Sequence, residues 1–200
     1  MSTTYENQVR IDFVRIPMRD GAELCAKITR PDAPGAFPAI MEYNPYRRLR
    51  EPLPDYRNEY PPVVPYLAEH GYAIVQFDVR GTGNSGGWTT DIYNAEEQHD
   101  AYDMGGWIAD QPWCSGNVGM IGKSYSAVVQ WQVAVQNPTA LKAIIVRSAN
   151  DDVYTEWVYP GGCLRPYMFD SYSANMNTWN FAPPDPDVAG ENWEELWKER

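Results

Sequence analysis

The sequence predicts an α/β fold: a mostly parallel central sheet that begins with antiparallel strands and carries helices on both faces. Three observations predict it. Two β-branched runs near the N terminus flank a turn signal, helix and strand patterns alternate from residue 63 to residue 146, and 17 prolines and 15 glycines are spread between the predicted elements. With 200 residues, 44% of them hydrophobic, the chain fits one globular domain.

The N-terminal elements are predicted to be strands. Residues 9–16 and 24–29 contain many β-branched side chains, and the Asp-Gly pair at 20–21 allows the positive φ that a hairpin turn needs. A third strand is predicted at 37–43, where an apolar run lies between two turn signals. Residues 47–62 are charged and rich in proline, which predicts an exposed loop.

From residue 63 onward, helix and strand patterns alternate, as they do in βαβ units. Glycine, asparagine or proline follows each predicted helix and ends it. The predicted helices cover residues 63–69, 94–110 and 126–136. The predicted strands cover residues 73–77, 118–121 and 141–146. This half of the chain therefore predicts the parallel part of the sheet.

Charge and composition argue against several classes of protein. Sixteen basic and 27 acidic residues give a net charge of −11, which argues against a nucleic-acid partner. No apolar run approaches the roughly 20 residues of a membrane helix, and the first residues lack signal-peptide features. We therefore expect no membrane contact and a cytoplasmic location. The three cysteines lie far apart and show no disulfide framework or ligand spacing, so no metal or cofactor is expected.

Two glycine-containing runs resemble nucleotide-binding motifs. The run 81–86 fits G-x-G-x-x-G, but the residues after it have no helical period, whereas a dinucleotide site needs a helix there. The Gly-Lys-Ser run at 122–124 resembles the end of a Walker A motif. However, the first glycine of that motif would fall on Asn117, and apolar residues 118–121 take the place of the phosphate loop. Neither run is interpreted as a phosphate site.

Ser124 lies between a predicted strand and a predicted helix. This is the context of a nucleophile elbow, in which a strained strand-to-helix turn raises a serine hydroxyl above the sheet. Such a turn needs small neighbours because strand and helix approach closely, and Gly122, Ser126 and Ala127 are small. The G-x-S-x-G pattern is not matched literally, since position 126 is serine. An ordinary N-cap serine is the alternative interpretation.

Three runs and two earlier landmarks, in this order along the chain, resemble one family. The landmarks are Met-Arg-Asp-Gly at 18–21 and Asn-Pro-Tyr at 44–46. The runs are Asp-Val-Arg-Gly-Thr-Gly-Asn-Ser-Gly-Gly at 78–87, Trp-Ile-Ala-Asp-Gln-Pro-Trp at 107–113 and Gly-Met-Ile-Gly-Lys-Ser-Tyr at 119–125. Together they resemble the X-Pro dipeptidyl-peptidase and cocaine-esterase-like (CocE/NonD) group of α/β-hydrolases. The resemblance implies the α/β-hydrolase fold.

The resemblance implies roles for three residues. Ser124 matches the acylated nucleophile, the backbone N–H of Tyr125 matches one oxyanion donor, and the hydroxyl of Tyr46 matches the second donor. A tyrosine that only covers a loop is the alternative for Tyr46. The family carries a glycine where this chain has Ala127. The implied substrate is a small-molecule ester or an X-Pro peptide amide, with esters preferred, and no cofactor is implied.

The resemblance also implies a base and an orienting acid, which follow the serine in the order Ser, then Asp or Glu, then His. Both histidines precede Ser124: His70 is expected to contact a helix end, and His99 is expected to be solvated within a charged helical run. Asp151 and Asp152 are expected to be turn residues. We therefore expect the chain to be the N-terminal part of a serine hydrolase, without the triad Asp and His, and inactive alone.

The C-terminal residues differ in character from the rest. Residues 1–165 are expected to form the N-terminal part of the catalytic domain, and residues 166–200 the beginning of a helical cap. Trp193, Leu196 and Trp197 have helical spacing, which predicts a helix that packs on the fold; an aromatic ligand platform is the alternative. A different class also remains open, a non-catalytic α/β-hydrolase-like module that binds a partner through its Trp-rich tail.

Overall fold

A single mixed sheet forms the centre of the computed structural model, which describes residues 8–46 and 63–200 apart from the side chain of Phe169. Within these residues the strands are β1 (Val9–Pro17), β2 (Glu23–Pro31), β3 (Phe37–Asn44), β4 (Ala73–Asp78), β5 (Cys114–Lys123) and β6 (Leu141–Arg147). Their order in the sheet is β1-β2-β4-β3-β5-β6. β1 and β2 are antiparallel to their neighbours, and the other four strands are parallel. The predicted α/β sheet is confirmed.

Helices connect the parallel strands. They are α1 (Val63–Glu69), α2 (Ala95–Ala109) and α3 (Tyr125–Ala134). The chain moves in one direction across the sheet from β3 to β4 and in the other direction from β4 through β5 to β6. Because such crossovers are right-handed, α1 lies on one face of the sheet, and α2 and α3 lie on the other. The predicted helices are confirmed, with ends that shift by one or two residues.

The core lies along the middle strands. Every side chain of β4 is buried, and Tyr43 on β3 stacks on Phe77 with ring centroids 4.6 Å apart. The edge strand β6 differs, because its side chains are half-buried or exposed and Ile145 is 56% exposed. β5 starts at Cys114, before the predicted residue 118, because Cys114 pairs with Phe37 of β3 ahead of a bulge. The predicted loop at 47–62 lies outside the described residues.

The G-x-G-x-x-G run forms a tight turn after β4 that is built around a carboxylate. The Asp78 carboxylate accepts a hydrogen bond from the Asn84 backbone N–H at 2.9 Å. Gly83 has φ +52°, and a Cβ there would lie 2.1 Å from Asp78 Oδ2, so only glycine fits. α2 begins at Ala95, well after this turn, so no helix opens at the third glycine. The run is a structural turn, as the sequence analysis expected when it rejected a dinucleotide site.

A buried ion pair joins the turn after β4 to α2. The Arg80 guanidinium donates two hydrogen bonds of 2.6 Å to the two carboxylate oxygens of Asp100. It donates a third, of 2.8 Å, to Asp20 in the turn between β1 and β2. Burial raises the pKa of the Asp100 carboxyl, and the guanidinium opposes that shift. Arg80 therefore ties three segments of the fold together.

The residues after β6 are helical, as predicted for their last part. π-helical turns cover Val153–Val158 and Met168–Tyr172, and a 3-10 turn covers Pro160–Gly162. Three short helices follow, α4 (Ser173–Phe181), α5 (Pro186–Ala189) and α6 (Trp193–Lys198). In the residues that the structure describes, no helix combines the length and the apolar character needed to cross a membrane. A division of the chain at residue 165 stays a prediction.

The C-terminal residues contact the turn after β4. The Arg200 guanidinium donates hydrogen bonds of 2.7 Å and 2.9 Å to the carbonyl oxygens of Gly83 and Ser85. The Asp185 backbone N–H donates to the Asn84 side chain at 2.8 Å. Trp197 stacks on Trp193 and donates its indole N–H to the Phe181 carbonyl at 2.8 Å. The two tryptophans of α6 therefore contact the tail, whereas Leu196 on the same face lies beside Gly86 in the turn after β4.

Candidate active site

Ser124 occupies the junction between β5 and α3 in a strained conformation. Its φ of 61° and ψ of −121° lie in a region that non-glycine residues rarely adopt. The backbone around it is fixed, because its N–H donates to the Arg147 carbonyl and its carbonyl accepts from the N–H groups of Ala127 and Val128. Its side chain makes no capping hydrogen bond to α3. The ordinary N-cap interpretation is therefore wrong.

The strand and the helix approach very closely at this turn. A Cβ placed on Gly122 would lie 2.4 Å from the Ser126 Cβ and 2.6 Å from the Ser126 carbonyl oxygen. Real Cβ atoms do not reach such distances, so position 122 admits only glycine without a backbone shift. Ala127 is fully buried and α3 starts normally, so a methyl group fits at this position. Packing therefore requires glycine at position 122 and accepts alanine at position 127.

Replacing Gly122 with alanine is expected to lower the free energy of unfolding by about 2–3 kcal/mol, because the new methyl group would overlap the backbone of α3. Urea denaturation measures this change. Gly106→Ala is the matched control, since that glycine is in α2 and a Cβ there would meet nothing within 4 Å. The control is expected to stabilise by up to about 1 kcal/mol, because alanine is the better helix former. Equal effects of the two substitutions would contradict the close approach.

Tyr46 brings its hydroxyl to Ser124 from the neighbouring strand. It follows β3, its backbone N–H donates to the Asn44 side chain at 3.0 Å, and its ring lies edge-on to Tyr125 and Trp179. The hydroxyl donates to Ser124 Oγ at 3.3 Å, and the Tyr125 backbone N–H donates to the same hydroxyl at 3.4 Å. The three residues that the family resemblance singled out therefore meet at one point. Their catalytic roles remain proposals.

Glu97 and Tyr93 extend this cluster, and the sequence analysis missed both. The Tyr125 hydroxyl donates to Glu97 at 2.6 Å, and the Tyr93 backbone N–H donates to Glu97 at 3.1 Å. Glu97 is 1% exposed, and this burial raises the pKa of its carboxyl to about 7 against the opposing hydrogen bond from Tyr125. The helical spacing of the sequence could have predicted the burial of Glu97. This residue shares one face of α2 with Ala101, Met104 and Ile108, which are buried.

Neither histidine contacts Ser124 in the residues that the structure describes. The His70 ring lies one turn from Tyr66, with Nδ1 2.7 Å from the Tyr66 carbonyl oxygen, so the predicted contact with a helix end is confirmed. His99 is exposed on α2, as expected. The Asp152 carboxylate accepts from the N–H groups of Tyr154 and Thr155 and so begins a helical turn, which confirms its predicted role as a turn residue.

The sheet order, the crossover helices and the turn that carries Ser124 place the chain among the proteins with the α/β-hydrolase fold. A match to the family model described as X-Pro dipeptidyl-peptidase (S15 family) covers residues 20–200. The chain belongs to this family. Its relatives are hydrolases, and the family named by the resemblance in the sequence is confirmed.

Similar proteins include an esterase and two hydrolases of known structure. Cocaine esterase from Rhodococcus sp. (strain MB1 Bresler) is 37% identical over 166 residues, which are 82% of this chain and 28% of that protein. A CocE/NonD family hydrolase from Staphylococcus aureus has a TM-score of 0.77 at 27% identity, covering 94% of this chain and 38% of that one. An α-amino acid ester hydrolase has a TM-score of 0.68 at 26% identity, and the match covers 85% of this chain and 30% of that one. The chain therefore spans about a third of its relatives' length.

Proposed function

We propose that Ser124 is the nucleophile of a serine hydrolase that cleaves small-molecule acyl esters through an acyl-enzyme. One observation carries the proposal: Ser124 is held at φ 61° between β5 and α3, while the Tyr46 hydroxyl donates to its Oγ and the Tyr125 N–H donates to that same hydroxyl. A strained backbone at a functional serine is typical of the strand-to-helix turn that exposes a nucleophile. Family membership and the esterase among the relatives support the same chemistry.

The Tyr46 hydroxyl and the Tyr125 N–H are the proposed oxyanion donors. These two groups bond to each other at 3.4 Å, which is long for a hydrogen bond and easily exchanged for a substrate oxygen. Tyr125 is the first residue of α3, so its N–H lies at the positive end of the helix dipole. As the serine oxygen attacks the carbonyl carbon, the negative charge that forms on the carbonyl oxygen is stabilised by both donors.

The proposed reaction has two halves. Ser124 Oγ bonds to the carbonyl carbon as its proton passes to a base, and the alcohol leaves with that proton when the ester bond breaks. Water then attacks the acyl-enzyme and releases the acid. His70 is bonded to Tyr66 and His99 is exposed, so we propose that neither is the base and that base and orienting acid come from residues outside these 200. The isolated 200-residue chain is expected to show no turnover.

Esters are proposed over X-Pro amides. The groups around Ser124 are hydroxyl and backbone N–H donors, which suit the carbonyl oxygen of an ester or an amide alike, so the preference depends on how the amino group of a peptide would be bound. The carboxylate in the cluster, Glu97, is already bonded to Tyr125 and Tyr93. It is therefore not available in this arrangement to bind the amino group of a peptide. Comparison of kcat/KM for short acyl esters and for X-Pro amides tests this preference.

Labelling with a fluorophosphonate tests the nucleophile. In the full-length gene product, mass spectrometry is expected to find the adduct on the peptide that contains Ser124, and Ser124→Ala is expected to lose both the adduct and ester turnover. Ser115→Ala is the matched control, because this exposed serine lies at the opposite end of the same strand. It is expected to label like the natural protein. An adduct that persists in Ser124→Ala would contradict the proposal.

A further inference from the structure

Glu97 is buried at the far end of the Tyr125 ring from Ser124. Its Oε2 accepts from the Tyr125 hydroxyl at 2.6 Å and from the Tyr93 N–H at 3.1 Å, and its Oε1 accepts from the Thr89 hydroxyl at 3.5 Å. The Tyr93 N–H also reaches the Tyr125 oxygen at 3.2 Å. The Tyr125 hydroxyl is therefore held from two sides. The proposed chemistry at Ser124 does not use any of these groups directly.

The Tyr125 ring links Glu97 to both proposed oxyanion donors. Its backbone supplies one donor, and its ring is 1% exposed and stacks on Tyr93 with centroids 4.2 Å apart. The same ring lies edge-on to the Tyr46 ring, whose hydroxyl is the other donor, at 6.5 Å. A displacement of the Tyr125 ring would therefore move the Tyr125 N–H and the packing surface of Tyr46 together.

We propose that the ionised Glu97 carboxylate is a positioning residue, which holds the Tyr125 ring and through it the two donor groups beside Ser124. A phenol that donates to a carboxylate forms a shorter and stronger bond than one that donates to a neutral acid. The ionised form of Glu97 therefore anchors the ring more firmly than the protonated form. This inference rests on the proposed function, because it assigns a role relative to Ser124.

The surroundings of Glu97 make its charge sensitive to pH near neutrality. Burial and, to a smaller extent, the negative charge of Asp100 raise the pKa of its carboxyl to about 7, and the hydrogen bonds from Tyr125, Tyr93 and Thr89 oppose the shift. The other groups that face this region are Tyr43 on β3 and the Arg80 guanidinium, which is already paired with Asp100. Protonation of Glu97 as the pH falls through 7 is expected to loosen the Tyr125 ring.

The test compares Glu97→Gln with the natural full-length gene product on an acyl ester. Glutamine keeps the shape of the protonated acid and removes the charge. The kcat of the variant is expected to be about tenfold lower at pH 8 and within about twofold at pH 6, with KM little changed. The readout is the ratio of the two kcat values at each pH. Other groups that titrate in both proteins change both kcat values equally, so their effect cancels in this ratio. Glu96→Gln, the exposed neighbour on α2, is expected to leave the ratio at one throughout.

A second substitution separates positioning from general packing. Tyr125→Phe removes the hydroxyl that Glu97 holds, so adding Glu97→Gln to it is expected to change kcat by less than about twofold. A ratio of one at every pH would overturn the proposal, and so would a tenfold loss from Glu97→Gln that persists in the Tyr125→Phe background. Loss of activity in Ser124→Ala together with a ratio of one would support the proposed role of Ser124 and reject only the proposed role of Glu97. Full activity in Ser124→Ala would instead reject the proposed function.

Thermal unfolding provides a readout that does not depend on activity. The pKa of Glu97 is raised in the folded protein, so its contribution to stability is present below the unfolded pKa and is lost as the pH rises through about 7. The midpoint of unfolding of the natural protein is therefore expected to fall relative to that of Glu97→Gln between pH 5 and pH 8. A constant difference between the two midpoints would show that the charge of Glu97 does not change in this range and would contradict the pH dependence predicted for kcat.

Discussion

Replacing Tyr46 with phenylalanine is expected to lower kcat for an acyl ester by about 10²- to 10³-fold while KM changes little. The substitution removes the hydroxyl that donates to Ser124 Oγ at 3.3 Å and keeps the ring that packs against Tyr125 and Trp179. The effect falls on kcat because the proposed donor bonds most strongly to the charge that develops in the transition state. Steady-state kinetics on the full-length gene product measure it.

Tyr66→Phe is the matched control for this prediction. Tyr66 is exposed on α1, where its ring stacks on His70. Its substitution is expected to leave kcat and KM unchanged. If Tyr46→Phe retained kcat within about threefold of the natural value, the Tyr46 hydroxyl could not be an oxyanion donor of the usual strength. The alternative interpretation of Tyr46, a tyrosine that only covers a loop, would then stand.

Replacing Arg80 with alanine is expected to lower the free energy of unfolding by about 3–5 kcal/mol. The substitution leaves the Asp100 carboxylate buried at 1% exposure without the guanidinium that donates to both of its oxygens. Chemical denaturation at neutral pH measures the loss. The loss is expected to shrink at low pH, because burial raises the pKa of Asp100 and the carboxyl becomes neutral there.

An exposed ion pair of similar geometry gives the control for Arg80. Arg19 donates to both carboxylate oxygens of Asp103 at the surface, so Arg19→Ala is expected to cost less than about 1 kcal/mol. The double substitution Arg80→Met with Asp100→Leu is expected to recover much of the stability, since it leaves no unpaired buried charge and the remaining partner, Asp20, is 45% exposed. Similar losses for Arg80→Ala and Arg19→Ala would contradict the structural role of the buried pair.

Much of the fold could be predicted because its elements have clear hydrophobic periods and clear end signals. The strands and helices from residue 63 to residue 147 match the prediction closely, apart from the start of β5. The first four residues of β5, Cys-Ser-Gly-Asn, carry no strand pattern; Cys114 is drawn into the sheet by pairing with Phe37 of β3, and a bulge separates this pair from the next one at Val118. Such pairing is a tertiary effect, which local sequence does not encode.

The candidate site was predicted in part. Tyr46 follows β3 and Ser124 follows β5, and these strands are parallel neighbours, so their carboxyl ends meet at one edge of the sheet. The sequence alone did not give the strand order, and the family resemblance supplied the pairing of the two residues. Glu97 was missed because it lies among charged residues, and its burial depends on the way α2 packs against α3 and the sheet.

The edge strand β6 has a consequence for handling the protein. Within the described residues it pairs only with β5, and Ile145 on it is 56% exposed. On α3 beside it, Trp131 is 46% exposed, and Val135, which follows the end of that helix, is 82% exposed. Unpaired backbone groups next to apolar side chains are a template for aggregation. Preparations of this 200-residue chain are therefore expected to require low concentration or a solubilising fusion, and loss of soluble material could be mistaken for loss of catalytic competence.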